Sequence, residues 1–183
     1  METDDVRPML VPLCIGDLPD AYRLMEQSFP KDEIRSIDGQ RALFDDPRYT
    51  LLARRAADGE TEGLLAVWDI GAFTFIEHFA VQPQLRGGGI GAAMLEALVC
   101  RQGKRICLEV EPPETEIARR RIGFYRRCGF TLNGYPYIMP SLEAGRQPLP
   151  LMIMTSGGAV DEAAFLQIRD ALYTTVYHTD IPG

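Results

Sequence analysis

The sequence predicts an α/β protein, a mixed sheet flanked by helices. Apolar residues alternate in some stretches and recur at helical spacing in others. Three strand-like runs follow one another between residues 50 and 81, parted by turn residues such as Asp58-Gly59 and Gly71. A strand, a glycine loop, a helix and a strand then come in order, which is one βαβ unit. With 183 residues, 46% hydrophobic and 25% charged, the chain is long enough for one domain with a real core. A single domain over 1–183, without internal repeat, low-complexity tract or dividing linker, is the expectation.

Met9-Leu10-Val11-Pro12-Leu13 reads as a short strand, and Asp17-Leu18-Pro19 has the cap and proline of a helix start. Leu18, Tyr22, Met25 and Phe29 form the apolar stripe of that helix. After the break at Phe29-Pro30-Lys31-Asp32, a second helix is predicted from Ile37 to Phe44, closed by Asp45-Asp46-Pro47. Strands follow over Thr50–Arg55, Gly63–Ile70 and Phe73–Val81. Ile90, Met94, Leu95 and Leu98 mark a helix, and Arg105–Val110 is again strand-like. Glu114–Cys128 reads as a charged helix with Ala118, Ile122 and Tyr125 on one face. Strands are predicted at Phe130–Leu132, Tyr135–Met139 and Leu149–Thr155. A last helix, about 160–177, places Phe165, Ile168, Leu172 and Val176 on one side.

The segment from Val81 to Leu98, VQPQLRGGGIGAAMLEAL, carries the chemistry. Glycines let main-chain N–H groups approach a ligand, and the helix that follows adds its positive end, so a phosphate-like anion is the natural guest. A tight structural turn is the plain alternative. Gly87-x-Gly89-x-x-Ala92 also fits a dinucleotide-binding fingerprint, with Glu109 near the place of its ribose-binding acid. Against that, five residues, Gln82 to Arg86, separate the strand from the first glycine, and the loop follows three strand-like runs instead of the first. A Walker lysine-hydroxyl pair is missing as well.

Parsed as Arg86-x-x-Gly89-x-Gly91, the loop resembles the pyrophosphate-binding segment of the GNAT superfamily of acyl-CoA-dependent N-acetyltransferases. Leu108-Glu109-Val110 on the next strand and Phe124-Tyr125-Arg126-Arg127-Cys128-Gly129-Phe130 at the end of the next helix join it in the family's order. These segments span 73–130, and the element order resembles the family from residue 8 to 155. The helix at 160–177 is additional to the minimal fold. Two departures stand out: Ala118 occupies the place of an asparagine often found seven residues before the tyrosine, and Pro112-Pro113-Glu114-Thr115 reads as an insertion.

The resemblance implies acetyl transfer from acetyl-CoA to an amine by direct attack in a ternary complex, without a metal. It implies that Gly87, Gly88, Gly89, Ile90, Gly91 and Ala92, assisted by Arg86, hold the pyrophosphate, and that the strand end Phe79, Ala80 and Val81 meets the pantetheine where two parallel strands splay. Tyr125 occupies the place of the tyrosine that protonates the departing thiolate. An amine with a pKa near ~10.4 is about one part in 10³ neutral at pH 7, so a base is needed. Strict alternation puts Phe75, Glu77, Phe79 and Val81 on one face and Thr74, Ile76, His78 and Ala80 on the other. Glu77 lies three residues before Ala80, which resembles the position of a catalytic histidine in arylalkylamine acetyltransferases. Glu109 resembles the base of ribosomal-protein alanine acetyltransferases. The choice between Glu77 and Glu109 stays open at this point, with Glu111 third. His78 reads as a satisfied sheet histidine and Cys107 as a buried thiol.

The acceptor is expected near Phe29-Pro30-Lys31-Asp32-Glu33 and Tyr135-Pro136-Tyr137: a small-molecule or peptide amine of unspecified identity. A catalytically idle CoA-binding module and a nucleotide-binding oxidoreductase are the rival readings. A formal net charge of −7 argues against nonspecific nucleic-acid or anionic-membrane binding. Cys14, Cys100, Cys107 and Cys128 show no C-x-x-C spacing, and no charged-then-apolar leader precedes residue 20, so a reducing cytoplasm is expected. A homodimer remains open.

Overall fold

The computed structural model describes residues 10–181. Strands β1 (Leu10–Pro12), β2 (Tyr49–Arg55), β3 (Thr61–Asp69) and β4 (Thr74–Val81) run antiparallel, each beside its predecessor. Strand β5 (Ile106–Val110) is parallel to β4, and β8 (Leu149–Ser156) is antiparallel to β5. On its far edge β8 pairs with β6 (Phe130–Leu132) through one half and with β7 (Tyr137–Met139) through the other. The sheet is therefore mixed, as the sequence predicts, and its strand order is β1-β2-β3-β4-β5-β8-β6. Met9, where the first predicted strand begins, lies outside the described residues.

Helices cover both faces. On one lie α1 (Leu18–Ser28), α2 (Ile37–Ala42) and α5 (Glu162–Thr175); Leu18, Met25, Phe165, Ile168 and Leu172 pack there against Trp68, Phe75 and Ile153. On the other, α3 (Ile90–Gln102) and α4 (Glu116–Arg127) deliver Met94, Leu95, Leu98, Ile122 and Tyr125 onto Ile76, Leu108 and Met154. Each buried aliphatic or aromatic side chain contributes about 1.5–3 kcal/mol, so two closed apolar layers account for the sheet lying between them.

Capping explains most boundaries. Thr115 Oγ1 accepts from the Ala118 N–H at 3.0 Å and Asp161 Oδ1 from the Ala164 N–H at 2.9 Å, which starts α4 two residues later than the sequence suggests and fixes the start of α5. The predicted helix Ile37–Phe44 divides into α2 and a 3-10 turn at Leu43–Asp45, and the strand predicted at Tyr135 begins at Tyr137.

The alternation predicted for β4 is wrong beyond Glu77. Ala66 pairs with His78 but Val67 pairs with Ile76, leaving Glu77 as the extra residue of a β-bulge. The bulge shifts the phase by one. Glu77, His78 and Ala80 turn toward the α1/α5 layer, whereas Phe79 and Val81 join Ile76 in the α3/α4 layer.

Candidate active site

The β4–β5 ladder runs Thr74↔Ile106, Phe75↔Cys107 and Ile76↔Leu108, and then the strands part. From Glu77 onward, the edge of β4 that faces β5 has no strand partner among the described residues. A cavity of about 870 Å³ opens in this fork, lined by Glu77–Val81 of β4, Leu108–Glu111 and the loop before α3. That size suits a cofactor-scale ligand.

At the outer end, Gly87 and Gly89 hold φ of +83° and +84°, a left-handed conformation that costs other residues about 1–2 kcal/mol. Gly89 is the N-cap of α3 and offers no capping side chain, so the first N–H groups of α3 are left for an incoming acceptor. Gly91 meets a different demand: a Cβ there would lie 3.2 Å from Phe79 Cζ and 3.4 Å from Phe124 Cζ. The first turn of α3 thus rests directly on the aromatic wall. Arg86 folds back, its Nε donating to the Val81 carbonyl at 3.0 Å and Nη2 reaching Ser28 Oγ at 3.4 Å, so it braces the strand end next to the glycines.

Tyr125 sits in that wall, its ring 5.3 Å from Phe124, 6.4 Å from Phe79 and 6.0 Å from Phe130. Burial pushes its phenol up to about 12, so it keeps its proton across the physiological range.

The two carboxylates at the apex differ. Glu77 is nearly inaccessible and both its oxygens are engaged: Oε1 receives the Arg35 guanidinium, and Oε2 accepts from Trp68 Nε1 at 2.9 Å. Burial opposes its charge, but Arg35 wins and holds the carboxyl below its ordinary range. Glu109 lies one residue past the last position at which β5 pairs with β4, while its other edge stays paired with Ile153 of β8. Burial lifts its carboxyl to about 7, while the hydroxyls of Tyr137 and Tyr177 pull it down and the charges of Glu77 and Glu33 push it up. Tyr177 Oη lies 2.8 and 2.7 Å from its two oxygens, and Tyr137 donates to Oε1. A carboxylate balanced near neutrality and lining a cavity can take up and release a proton at working pH.

The structure also brings in groups that the sequence reading passed over. Arg35, Trp68 and Tyr177 carry no local pattern that marks them as site residues; each is placed by tertiary packing. Tyr177 does continue the four-residue spacing from Tyr173, the one signal in the sequence that could have found it. The His78 ring meets the Glu33 carbonyl, 2.7 Å from Nε2; since a carbonyl only accepts, Nε2 carries the proton, and the buried Nδ1 has no partner among the described residues. Tyr135, expected near the acceptor, instead stacks on Phe165 and donates to the Val160 carbonyl at 3.3 Å. Phe29 and Glu33 do line the cavity, together with Leu142 and Met139. Glu111 is at its rim, 3.6 Å from Arg121. Cys107 is buried and its thiol is pushed well up by desolvation. Among the described residues no three metal-ligating side chains cluster, and no helix is long and apolar enough to cross a membrane.

Residues 47–132 match the pattern of an acetyltransferase (GNAT) domain. A Bacteroides thetaiotaomicron protein assigned to the GNAT acetyltransferase family is 34% identical, with a TM-score of 0.85 over 94% of this chain and 99% of that one. The ribosomal-protein-S18-alanine N-acetyltransferase of Escherichia coli superposes with a TM-score of 0.62 at 20% identity, over 84% of this chain and 96% of its own. A variant of the spermidine N-acetyltransferase SpeG from Vibrio cholerae gives 0.59 at 18% identity, over 81% and 94%. At those identities the last two likenesses concern the fold. No curated protein matches the sequence.

Proposed function

The chain belongs to the GNAT family of acetyltransferases, and from that premise we propose that it moves an acetyl group from acetyl-CoA to a primary amine by direct attack in a ternary complex. The observation that carries this reading is the fork: a parallel pair that opens after Ile76 and Leu108, with a glycine-capped helix start at its outer end and a carboxylate poised near pH 7 at its apex. Acetyl-CoA supplies an activated acyl thioester. The residues present fit it: the N–H groups from Gly87 to Ala92, Gly88 and Ile90 included, meet the pyrophosphate, with Arg86 alongside. The unpaired edge at Phe79, Ala80 and Val81 receives the amide-rich arm by sheet-like hydrogen bonds.

Of the two candidate bases, this reading assigns the role to Glu109. Glu77 has both oxygens committed to Arg35 and Trp68, and protonating it would strand a buried guanidinium. Glu109 takes one proton from the acceptor ammonium before the nitrogen attacks the acyl carbon. As the new C–N bond forms and the C–S bond breaks, the nitrogen gives up its second proton to solvent, and Tyr125 donates its phenolic proton to the leaving sulfur. An N–H of β4 at the bulge polarises the carbonyl.

The acceptor enters between Phe29, Glu33 and the loop after β7, a mixed apolar and acidic approach that suits a cationic amine. The spermidine and ribosomal-protein enzymes among the fold neighbours make small polyamines and peptide N-termini sensible first members of a test panel. A cytoplasmic setting, a single domain over the whole chain and freedom from metal belong to the same reading. The deciding experiment follows free thiol while a panel of amines is offered with acetyl-CoA. Amine-dependent thiol release supports transfer; saturable acetyl-CoA binding without it, for every amine, replaces the reading with an idle CoA-binding module.

A further inference from the structure

Helix α5 and Arg35 are among the parts of the chain that lie outside the 47–132 match. The two meet. Arg35, 5% exposed, sends one guanidinium nitrogen to Glu77 on β4 and Nη2 to the Val176 carbonyl at 3.1 Å, immediately past the end of α5. Its own carbonyl accepts from Tyr22 Oη of α1 at 2.8 Å, and Trp68 of β3 holds the other oxygen of Glu77. Three elements, α1, β3 and β4, are thus tied through Arg35 to the end of α5. The chain there bends back, with the Tyr177 N–H donating to the Leu172 carbonyl at 3.1 Å and His178 at φ +49°. The next side chain after the anchored carbonyl is Tyr177, whose hydroxyl lies 2.8 and 2.7 Å from the two oxygens of Glu109.

We propose that Tyr177 is a positioning residue for Glu109, delivered by α5 and fastened by an Arg35–Glu77 strap that grips the Val176 carbonyl. The proposal rests on the reading of Glu109 as the base. In it, the added C-terminal helix is part of the active site. Glu77, which the sequence offers as a second base, acts instead as the fixed counter-charge that keeps Arg35 in place. A single phenolic proton shared between both carboxylate oxygens orients the plane of the carboxylate without sequestering either oxygen fully, and it favours the charged form. The groups that face Glu109 are Tyr137 from β7, Tyr173 from α5, Tyr177 beyond α5, Glu77 from β4, Glu33 from the turn after α1 and Cys107 from its own strand. Of these, Tyr137 and Tyr177 stabilise the carboxylate and the two glutamates oppose it.

The test needs no acceptor. In protein labelled with 13C at glutamate side-chain carboxyls, an NMR pH titration is recorded for the full chain, for Glu109→Gln, Tyr177→Phe and Arg35→Lys, and for the double Tyr177→Phe/Arg35→Lys. One resonance should titrate near neutrality and vanish in Glu109→Gln. Tyr177→Phe removes only a hydroxyl, so it should fold, and the resonance should move up by about one pH unit. Arg35→Lys keeps the charge on Glu77 but cannot bridge to Val176; it should move the resonance the same way by less, and the double variant should go no further than Tyr177→Phe alone. A resonance that stays put in Tyr177→Phe overturns the proposal while leaving Glu109 as base. Fully additive shifts in the double variant overturn the strap. Absence of any neutral-range resonance assignable to Glu109 overturns the poised base and the proposal together. Lowered melting temperatures with unmoved titrations mean that Tyr177 is packing alone, which also refutes it.

Discussion

A carboxylate held near pH 7 inside a protein costs stability, and the cost has a pH window that can be measured. Glu109 titrates at about 7 in the folded chain against an ordinary 4.5. Between those values the folded state holds a proton that the unfolded chain has already released, so stability falls as pH rises through the window. The gap of roughly 2.5 pH units, at about 1.36 kcal/mol for each, comes to about 3 kcal/mol, absent below pH 4.5 and fully developed above pH 7. Glu109→Gln has no proton to gain or lose. Its amide can still accept from Tyr177 or Tyr137, whose hydroxyls rotate. Subtracting the unfolding free energy of the parent from that of the variant cancels the other titrating groups to first order. The difference should be small at pH 4.5 and should rise to about 3 kcal/mol in favour of the variant at pH 8. Urea unfolding at four pH values reads this directly; with a slope of about 2 kcal/mol/M, the midpoints should separate by about 1.5 M at the alkaline end. A flat difference between pH 4.5 and 8, or a parent that gains on the variant as pH rises, would refute the poised carboxylate and with it the argument for Glu109 as base.

Gly89→Val places a β-branched side chain at φ +84°, where the backbone must give way, so acetyl-CoA affinity measured by calorimetry should fall at least tenfold while the far-UV spectrum is retained. Tyr125→Phe keeps the ring among Phe124, Phe79 and Phe130 but removes the proposed proton donor: kcat should drop on the order of 10²-fold with little change in acetyl-CoA affinity, and a fully active variant would move the donor elsewhere. Arg35→Met leaves the buried Glu77 without its counter-charge, so thermal and urea unfolding should report a loss of about 3–5 kcal/mol. Pairing it with Glu77→Met should recover most of that loss.

Much of this architecture is legible in the sequence because it is written locally. The stripe of Met94, Leu95 and Leu98, the glycines before Ile90 and the apolar run of β5 each declare themselves within a few residues. The register of β4 does not. Period-two reasoning assumes that every residue has a partner, and the bulge at Glu77 depends on how β3 meets β4, which neither strand encodes alone. Strict alternation therefore assigned Glu77 to the face of Phe79 and parted it from His78, whereas the bulge puts Glu77 and His78 side by side. The polar partners were hidden for a related reason. Arg35 and Glu77 are 42 positions apart, and Tyr177 and Glu109 are 68 apart, so contact between them exists only once the α1/α5 layer has closed on the sheet.

The short parallel ladder between β4 and β5 has a mechanical side. Here two half-sheets, one of β1 to β4 and one of β5 with its neighbours β8, β6 and β7, share just the register from Thr74↔Ile106 to Ile76↔Leu108. Beyond Ile76 and Leu108 the two strands have no further ladder pairing among the described residues, and the helices above and below carry the load from one half to the other instead. A molecule bound in the gap as proposed, bonded to the free edge of β4 and to the start of α3, would act as a rivet across the seam, so part of the energy released by its binding would go into stiffening the joint on which Glu109 and Tyr125, the groups proposed to act, are mounted.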